Sequence, residues 1–366
     1  MEDLIPHNGN LTILTIFSHE GEIDKTELLK LVGSDVIVEH WNKPIQIEQH
    51  EFVGVISAGN EKVTCSVDLF TDVFVSGVSI LRAEFKVREN ILFSDLLVAL
   101  HSNTIYIEGV DFNTFSIRKV AEIRQKLSPG FRGAYYRNMK RFTLLQMKEY
   151  TPKLDQKELK EKYGEIVTRF LSGETSLRRL HGREITEKLK NDISYYDEDL
   201  YLVSPEGVLI IGCDDYLKEL RELIELTLSL LMLFQVYDWR IDTEIGSAFT
   251  AIKSIRRSRF YLLGQAPGKL ESALIKVNEI ELAILDDIED LMNPHKVTQD
   301  WYYQSAYERM LNLLKVGEFE NIVHHKINTL HNLYSTATEL TSTRMALIVE
   351  VLIVILILFE IIKSFF

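Results

Sequence analysis

Ser79-Ile-Leu-Arg-Ala-Glu-Phe-Lys-Val87 alternates from Leu81 onward: apolar side chains at 81, 83, 85 and 87 are separated by charged ones at 82, 84 and 86. A period of two sends those two sets to opposite faces, which predicts a strand with one face in a core. Residues 11–17, 35–39, 62–70 and 104–108 are further strand candidates, rich in β-branched residues, and 72–87 reads as one extended run. Two short helices are predicted among them. One covers 23–32, with Asp24 as N-cap, Glu27 completing a capping box and Gly33 as the stop; the other covers 91–100. Strands interspersed with short helices predict a mixed α+β domain over residues 1–127.

Residues 128–212 read as a charged helical linker plus a β-hairpin, 199–204 and 208–212 around Pro205-Glu206-Gly207, that completes the soluble head. Residues 213–343 read as all-helical, an antiparallel coiled-coil-like stalk. Leu217, Leu220, Ile224, Leu231 and Phe234 form one stripe and Leu223, Leu226, Leu230 and Leu233 a second, so this helix is predicted to be buried on two sides. A turn over 264–268 follows. Leu270, Leu274, Val277, Ile284, Ile288 and Leu291 then make a heptad seam, broken at Glu281 and ended by Asn293-Pro294. Another helix covers 298–316. Beyond Gly317 neither Gly nor Pro occurs, and Phe319, Val323, Leu330, Leu333, Ala337 and Leu340 keep the heptad step, with Lys326 in one slot and Leu347 continuing it.

Residues 344–366 are the most apolar stretch, hidden by a mean hydropathy of -0.01 for the whole chain. As a helix, 345–366 measures about 33 Å, enough for a hydrocarbon core of about 30 Å. The expectation is one transmembrane helix in a tail-anchored, single-pass protein. The opening residues Met1-Glu2-Asp3-Leu4-Ile5 resemble neither a secretory signal nor a transit peptide, which places the N-terminal bulk on the cytoplasmic side. Arg344 and Lys363 would flank the membrane, and Glu350 and Glu360 would be embedded acids. These acids are expected in the headgroup zone; the competing reading is a ring of glutamates lining a cation path.

The 366 residues, 46% hydrophobic and 26% charged, exclude a mostly disordered chain. A net charge of -13 argues against a mainly phosphate-binding surface, so nucleic acid is not an expected partner. Cys65 and Cys213 are too few for a disulfide framework or a four-cysteine metal site, and Cys213 beside Asp214 and Asp215 is predicted to be inert. There is no P-loop, dinucleotide fingerprint, serine elbow, zincin or EF-hand pattern. His324 and His331 share a helix face but lack a third ligand. Two basic clusters are surface candidates: Arg132, Arg137, Lys140 and Arg141, interleaved with aromatics, and Lys253, Arg256, Arg257 and Arg259. No catalytic residue, cofactor or metal is expected.

Glu350-Val-Leu-Ile-Val-Ile-Leu-Ile-Leu-Phe-Glu360 resembles the terminal helix of the "required for meiotic nuclear division" family of sporulation-related membrane proteins, which carries two acids ten apart. Asn293-Pro294 with Trp301 and Tyr307, and Lys326-Ile-Asn-Thr-Leu330, are similar to stretches upstream in that family, and 206–212 faintly to one of its strands. The resemblance covers residues 270–366 and implies a single-pass, oligomeric membrane protein, which in eukaryotes sits in the mitochondrial inner membrane and supports mitochondrial translation; it brings no catalytic residue. The expected function is a non-enzymatic, self-associating, tail-anchored scaffold or tether, whose partners are membrane lipid and further copies of the chain. The alternatives are an oligomeric cation channel or transporter using Glu350 and Glu360, and a membrane-anchored enzyme.

Overall fold

A computed structural model describes residues 4–19, 22–23, 30, 44–58, 61–74, 76–87, 91–128, 131–132, 138–174, 178–212, 216–257, 275, 278–279, 281–282 and 288–365. The predicted helix over 23–32, the strand over 35–39, the turn over 264–268, most of the seam from Leu270 to Ile284 and Cys213 lie outside the described residues. The chain divides into two units, Met1–Leu233 with Asp290–Gly317, and Phe234–Glu289 with Glu318–Phe366.

The strands of the first unit are β1 (Ile5–Ser18), β2 (Glu22–Ile23), β3 (Ile45–Ala58), β4 (Glu61–Val73), β5 (Val78–Val87), β6 (Ile105–Ile107), β7 (Val110–Asp111), β8 (Phe131–Arg132), β9 (Met139–Thr151), β10 (Leu200–Val203) and β11 (Gly207–Ile211). Its helices are α1 (Phe93–His101), α2 (Phe112–Leu127), α3 (Gln156–Ser172), α4 (Gly182–Leu189), the first part of α5 (Leu217–Arg257), α6 (Glu289–Met292), α7 (Pro294–Val297) and α8 (Trp301–Leu313). Nine strands form one sheet in the order β10-β11-β9-β1-β5-β4-β3-β6-β7, and β2 pairs with β8 separately. Neighbours in the large sheet run antiparallel, except β11 against β9.

Alternation in β5 does what the sequence reading requires. Leu81, Ala83, Phe85 and Val87 enter a large apolar cluster on one face of the sheet. Phe93 and Leu96 of α1, Phe112, Val120 and Ile123 of α2, and Leu159, Val167 and Phe170 of α3 cover that face. Side chains of Asp111 and Asp155 cap α2 and α3, accepting from Thr114 N at 2.9 Å and Glu158 N at 2.7 Å. The run 72–87 is two strands: the chain reverses after Phe74, where Gly77 takes φ 85, a left-handed conformation that a side chain would oppose. Two long strands, β3 and β9, stand where no strand was expected. The predicted hairpin forms, with Val203 opposite Val208.

The second unit contains the rest of α5 and, from Glu318 onward, α9 (Val316–Phe365), a helix of 50 residues. Lys326 Nζ lies 2.6 Å from Asp238 Oδ1 and 2.7 Å from Asp242 Oδ1 on α5, and His331 Nε2 lies 3.1 Å from Glu281. Val323, Ile327, Leu330, Tyr334 and Ala337 are buried at alternating steps of four and three. The seam thus uses Ile327 and Tyr334 in place of Lys326 and Leu333, because the ammonium of Lys326 turns to two carboxylates.

The transmembrane part of the expected fold class is not sustained: among the described residues, no helix is long and apolar enough to cross a membrane. The apolar run of α9 is interrupted by Glu350 and Glu360. The single-pass, tail-anchored assignment and the membrane localisation are withdrawn with it.

A Cβ at Gly54 of β3 would stand 2.5 Å from Val67 Cγ2 and 3.2 Å from Phe85 Cε1. Gly54→Ala is expected to cost about 1–3 kcal/mol through overpacking of this rigid β-branched neighbour. Urea denaturation measures it, and an unchanged midpoint would refute the close approach.

Candidate interaction surfaces

On the second face of the sheet the register places Arg82 beside Leu14 of β1 and Phe70 of β4. Directly paired residues share a face. The guanidinium lies 4.6 Å above the Phe70 ring centre and is 8% exposed. Its Nη1 donates to Glu225 Oε1 of α5 at 2.8 Å. Asp72 Oδ2 lies 3.1 Å from the same nitrogen, and Glu84 Oε1 lies 3.1 Å from Nε; both are ionic contacts without hydrogen-bond alignment. Arg221 of α5 adds a bond to Glu84 at 2.9 Å. Burial pushes the carboxyls of Asp72 and Glu225 up despite the arginines. Burial also opposes the charge on Arg82, but Glu225 and Asp72 outweigh it and its affinity for the proton rises. Three carboxylates and two guanidiniums form a lock between sheet and helix.

His19 follows β1 and its Nε2 lies 2.6 Å from Ser79 Oγ. Burial, with the nearby charge of Arg124, lowers its pKa to about 3.

An aromatic patch joins two segments of the first unit, 195–196 and 301–303. The Tyr195 ring centre is 4.6 Å from Tyr302, 4.7 Å from Tyr196 and 6.1 Å from Trp301. Tyr216 meets Tyr302 at 5.6 Å, and its hydroxyl donates to Asp199 at 2.5 Å. Asp300 caps α8, and Tyr302 Oη donates to the Ile193 carbonyl at 2.9 Å, which holds the two segments together. Tyr195, Tyr196 and Trp301 remain 45%, 55% and 68% exposed. Beside Trp301 a cleft of about 470 Å³ runs between α7 and α8, lined by Pro294, His295, Gln304 and Glu308 among others.

The third surface lies on α9. Every large apolar residue from Leu347 to Ile361 is exposed, from 41% at Ile348 to 66% at Phe359. Glu350 and Glu360 are exposed on the same stretch, as is Lys363; Arg344 lies on α9 between the buried and exposed parts.

The residues of the two expected basic surfaces lie on β8, β9 and α5 where they are described. Arg132 lies on β8, and Arg137 and Arg259 are outside the described residues. Arg141 turns inward, donating to Asn113 and, at 3.2 Å, to Ser116, with its guanidinium 5.4 Å from the Phe112 ring. Lys140 is partly buried and burial lowers its pKa, against a nearby Glu206. Lys253 is exposed near the end of α5, where Arg256 and Arg257 also lie. His324 and His331 belong to no metal-binding cluster among the described residues. The aromatic patch was missed because its halves are about a hundred positions apart; Tyr195-Tyr196 and Trp301-Tyr302-Tyr303 were the available signal.

Residues 8–216, more than half of the chain, match the family described as "Uncharacterized protein MJ0711, N-terminal domain". The chain belongs to that family. A curated relative, "Uncharacterized protein MJ0711" of Methanocaldococcus jannaschii, is 23% identical over 278 residues, covering 74% of this chain and 81% of its own. No solved structure matches. The resemblance to the meiotic-nuclear-division family is overturned: the family match falls on the sheet-bearing part, where that resemblance offered almost nothing. A run of Ile and Leu with two acids carries too little information to define kinship.

Arg82→Leu strands Asp72 and Glu225 without their cation and is expected to cost about 3–5 kcal/mol by urea denaturation. Adding Asp72→Asn and Glu225→Gln should return part of that loss; no recovery would show that the arginine acts through packing alone.

The depressed pKa of His19 makes the unfolded chain bind more protons between pH 3 and 6.5. Its stability contribution is therefore complete above pH 6.5 and is lost as pH falls toward 3. Stability profiles of wild type and His19→Gln should converge on acidification, and parallel profiles would refute a buried neutral His19.

Proposed function

We propose that the protein is a non-enzymatic scaffold that self-associates through α9. The observation that carries this reading is the exposed apolar run 346–361, which continues a seam already in use within the chain. The buried steps Ile327, Leu330, Tyr334 and Ala337 extend on the same heptad to Thr341 and Arg344, then to Ile348, Val351, Ile355 and Leu358. The polar pair Thr341 and Arg344 separates the buried part from the exposed part. Ile348 and Ile355 at the first core position, with Val351 and Leu358 at the second, make an apolar seam that suits a second copy of the helix. Glu350 and Glu360 fall off this seam, so they stay in water when two helices pair. An apolar patch of this length left uncovered would itself drive aggregation.

Light scattering on the full chain at micromolar concentration tests the proposal. Wild type is expected to be oligomeric, and Val351→Lys with Ile355→Lys to be monomeric while keeping its circular dichroism spectrum. A wild-type monomer overturns the reading, as does a chain that stays monomeric and instead floats with lipid vesicles.

A further inference from the structure

We infer that the aromatic patch of the first unit is a docking site for a cationic peptide segment, rich in arginine or lysine, of a protein partner. Three exposed rings, Tyr195, Tyr196 and Trp301, stand side by side, and their order is imposed from beneath by Tyr302 and Tyr216. A packed, preordered cluster of rings loses little entropy on binding. Acidic groups border it. Asp197 and Glu198 follow Tyr196 directly and are exposed, Asp300 precedes Trp301, and Glu308 lines the adjoining cleft. Among the described residues no ion pair engages Asp197, Glu198 or Glu308. Aromatic faces attract cations, and guanidinium and ammonium groups with carboxylates beside the ring gain from both. Arg309, next to Glu308, is held by a bond from its Nη1 to the Asp192 carbonyl at 2.8 Å. The chain's net charge of -13 draws the same class of partner at long range. Nucleic acid would also stack on such rings, but its phosphates would face these four carboxylates, so the charge decides for a basic peptide.

Isothermal titration of the full chain with octa-arginine, octa-lysine and a neutral Gly-Ser peptide tests the site. Binding of the two cationic peptides and not of the neutral one is expected. Tyr195→Leu with Trp301→Leu leaves the net charge unchanged and should weaken octa-arginine about tenfold, the effect of two exposed cation–π contacts. Trp301→Phe should recover most of the loss, and Asp197→Asn with Glu198→Gln should weaken binding severalfold. The inference is overturned if the Leu double variant binds octa-arginine like wild type, since attraction would then be general charge only. It is equally overturned if a single-stranded oligonucleotide binds as tightly as the peptide. Both outcomes are independent of whether α9 self-associates.

Discussion

A buried arginine needs carboxylates, and the first unit is organised around meeting that need. Arg82 stands in a central strand, on a face where Leu14, Phe70 and Phe142 are among its neighbours. Water cannot solvate it there, so an unpaired guanidinium would cost far more than a lost surface contact. Asp72 and Glu84 come from the adjacent hairpin, but Glu225 is 143 positions away and reaches it only when α5 lies on the sheet. The network therefore specifies which helix covers this face and at what height, whereas apolar contact alone would tolerate sliding.

The opposite face is held differently. Helices α1, α2 and α3 cover it with aliphatic and aromatic side chains, and edge-to-face pairs such as Phe85–Phe112 set their packing. The face that carries Arg82 adds charge pairing to its apolar contacts. The two outward-looking surfaces also differ: α9 offers a largely apolar run, and the Tyr195–Trp301 patch offers rings bordered by acids. The proposed partners differ accordingly, a second copy for the first and a basic segment for the second.

Much of the fold was legible. Alternation in β5, the 199–212 hairpin and the twin stripes of α5 all follow from local periodicity, and each is realised: Leu220, Ile224, Leu226 and Leu230 are buried. β9 was hidden because both of its faces are buried in the middle, where Leu144, Leu145, Gln146 and Met147 break alternation, and its ends are charged. β3 is polar and partly exposed, with Val53 at 61%, so its pattern is weak. The seam of α9 was displaced by one residue at alternate steps because leucine and lysine side chains were weighed by type, without knowledge of Asp238 and Asp242 across from them. The apolar run was read as a membrane span from its composition, but among the described residues no helix is both long and apolar enough to cross a membrane.

By itself, the sequence determined where strands and helices can form, which side of each is apolar, and that no familiar catalytic motif is present. Those properties depend on neighbours within a few positions and are written in the period of the side chains. The tertiary structure alone decided that Glu225 serves Arg82, that Tyr195 meets Trp301 and that Arg141 turns inward. Each joins residues from separate segments, and their attraction counts only after the backbone between them has been ordered, a cost that no local pattern records.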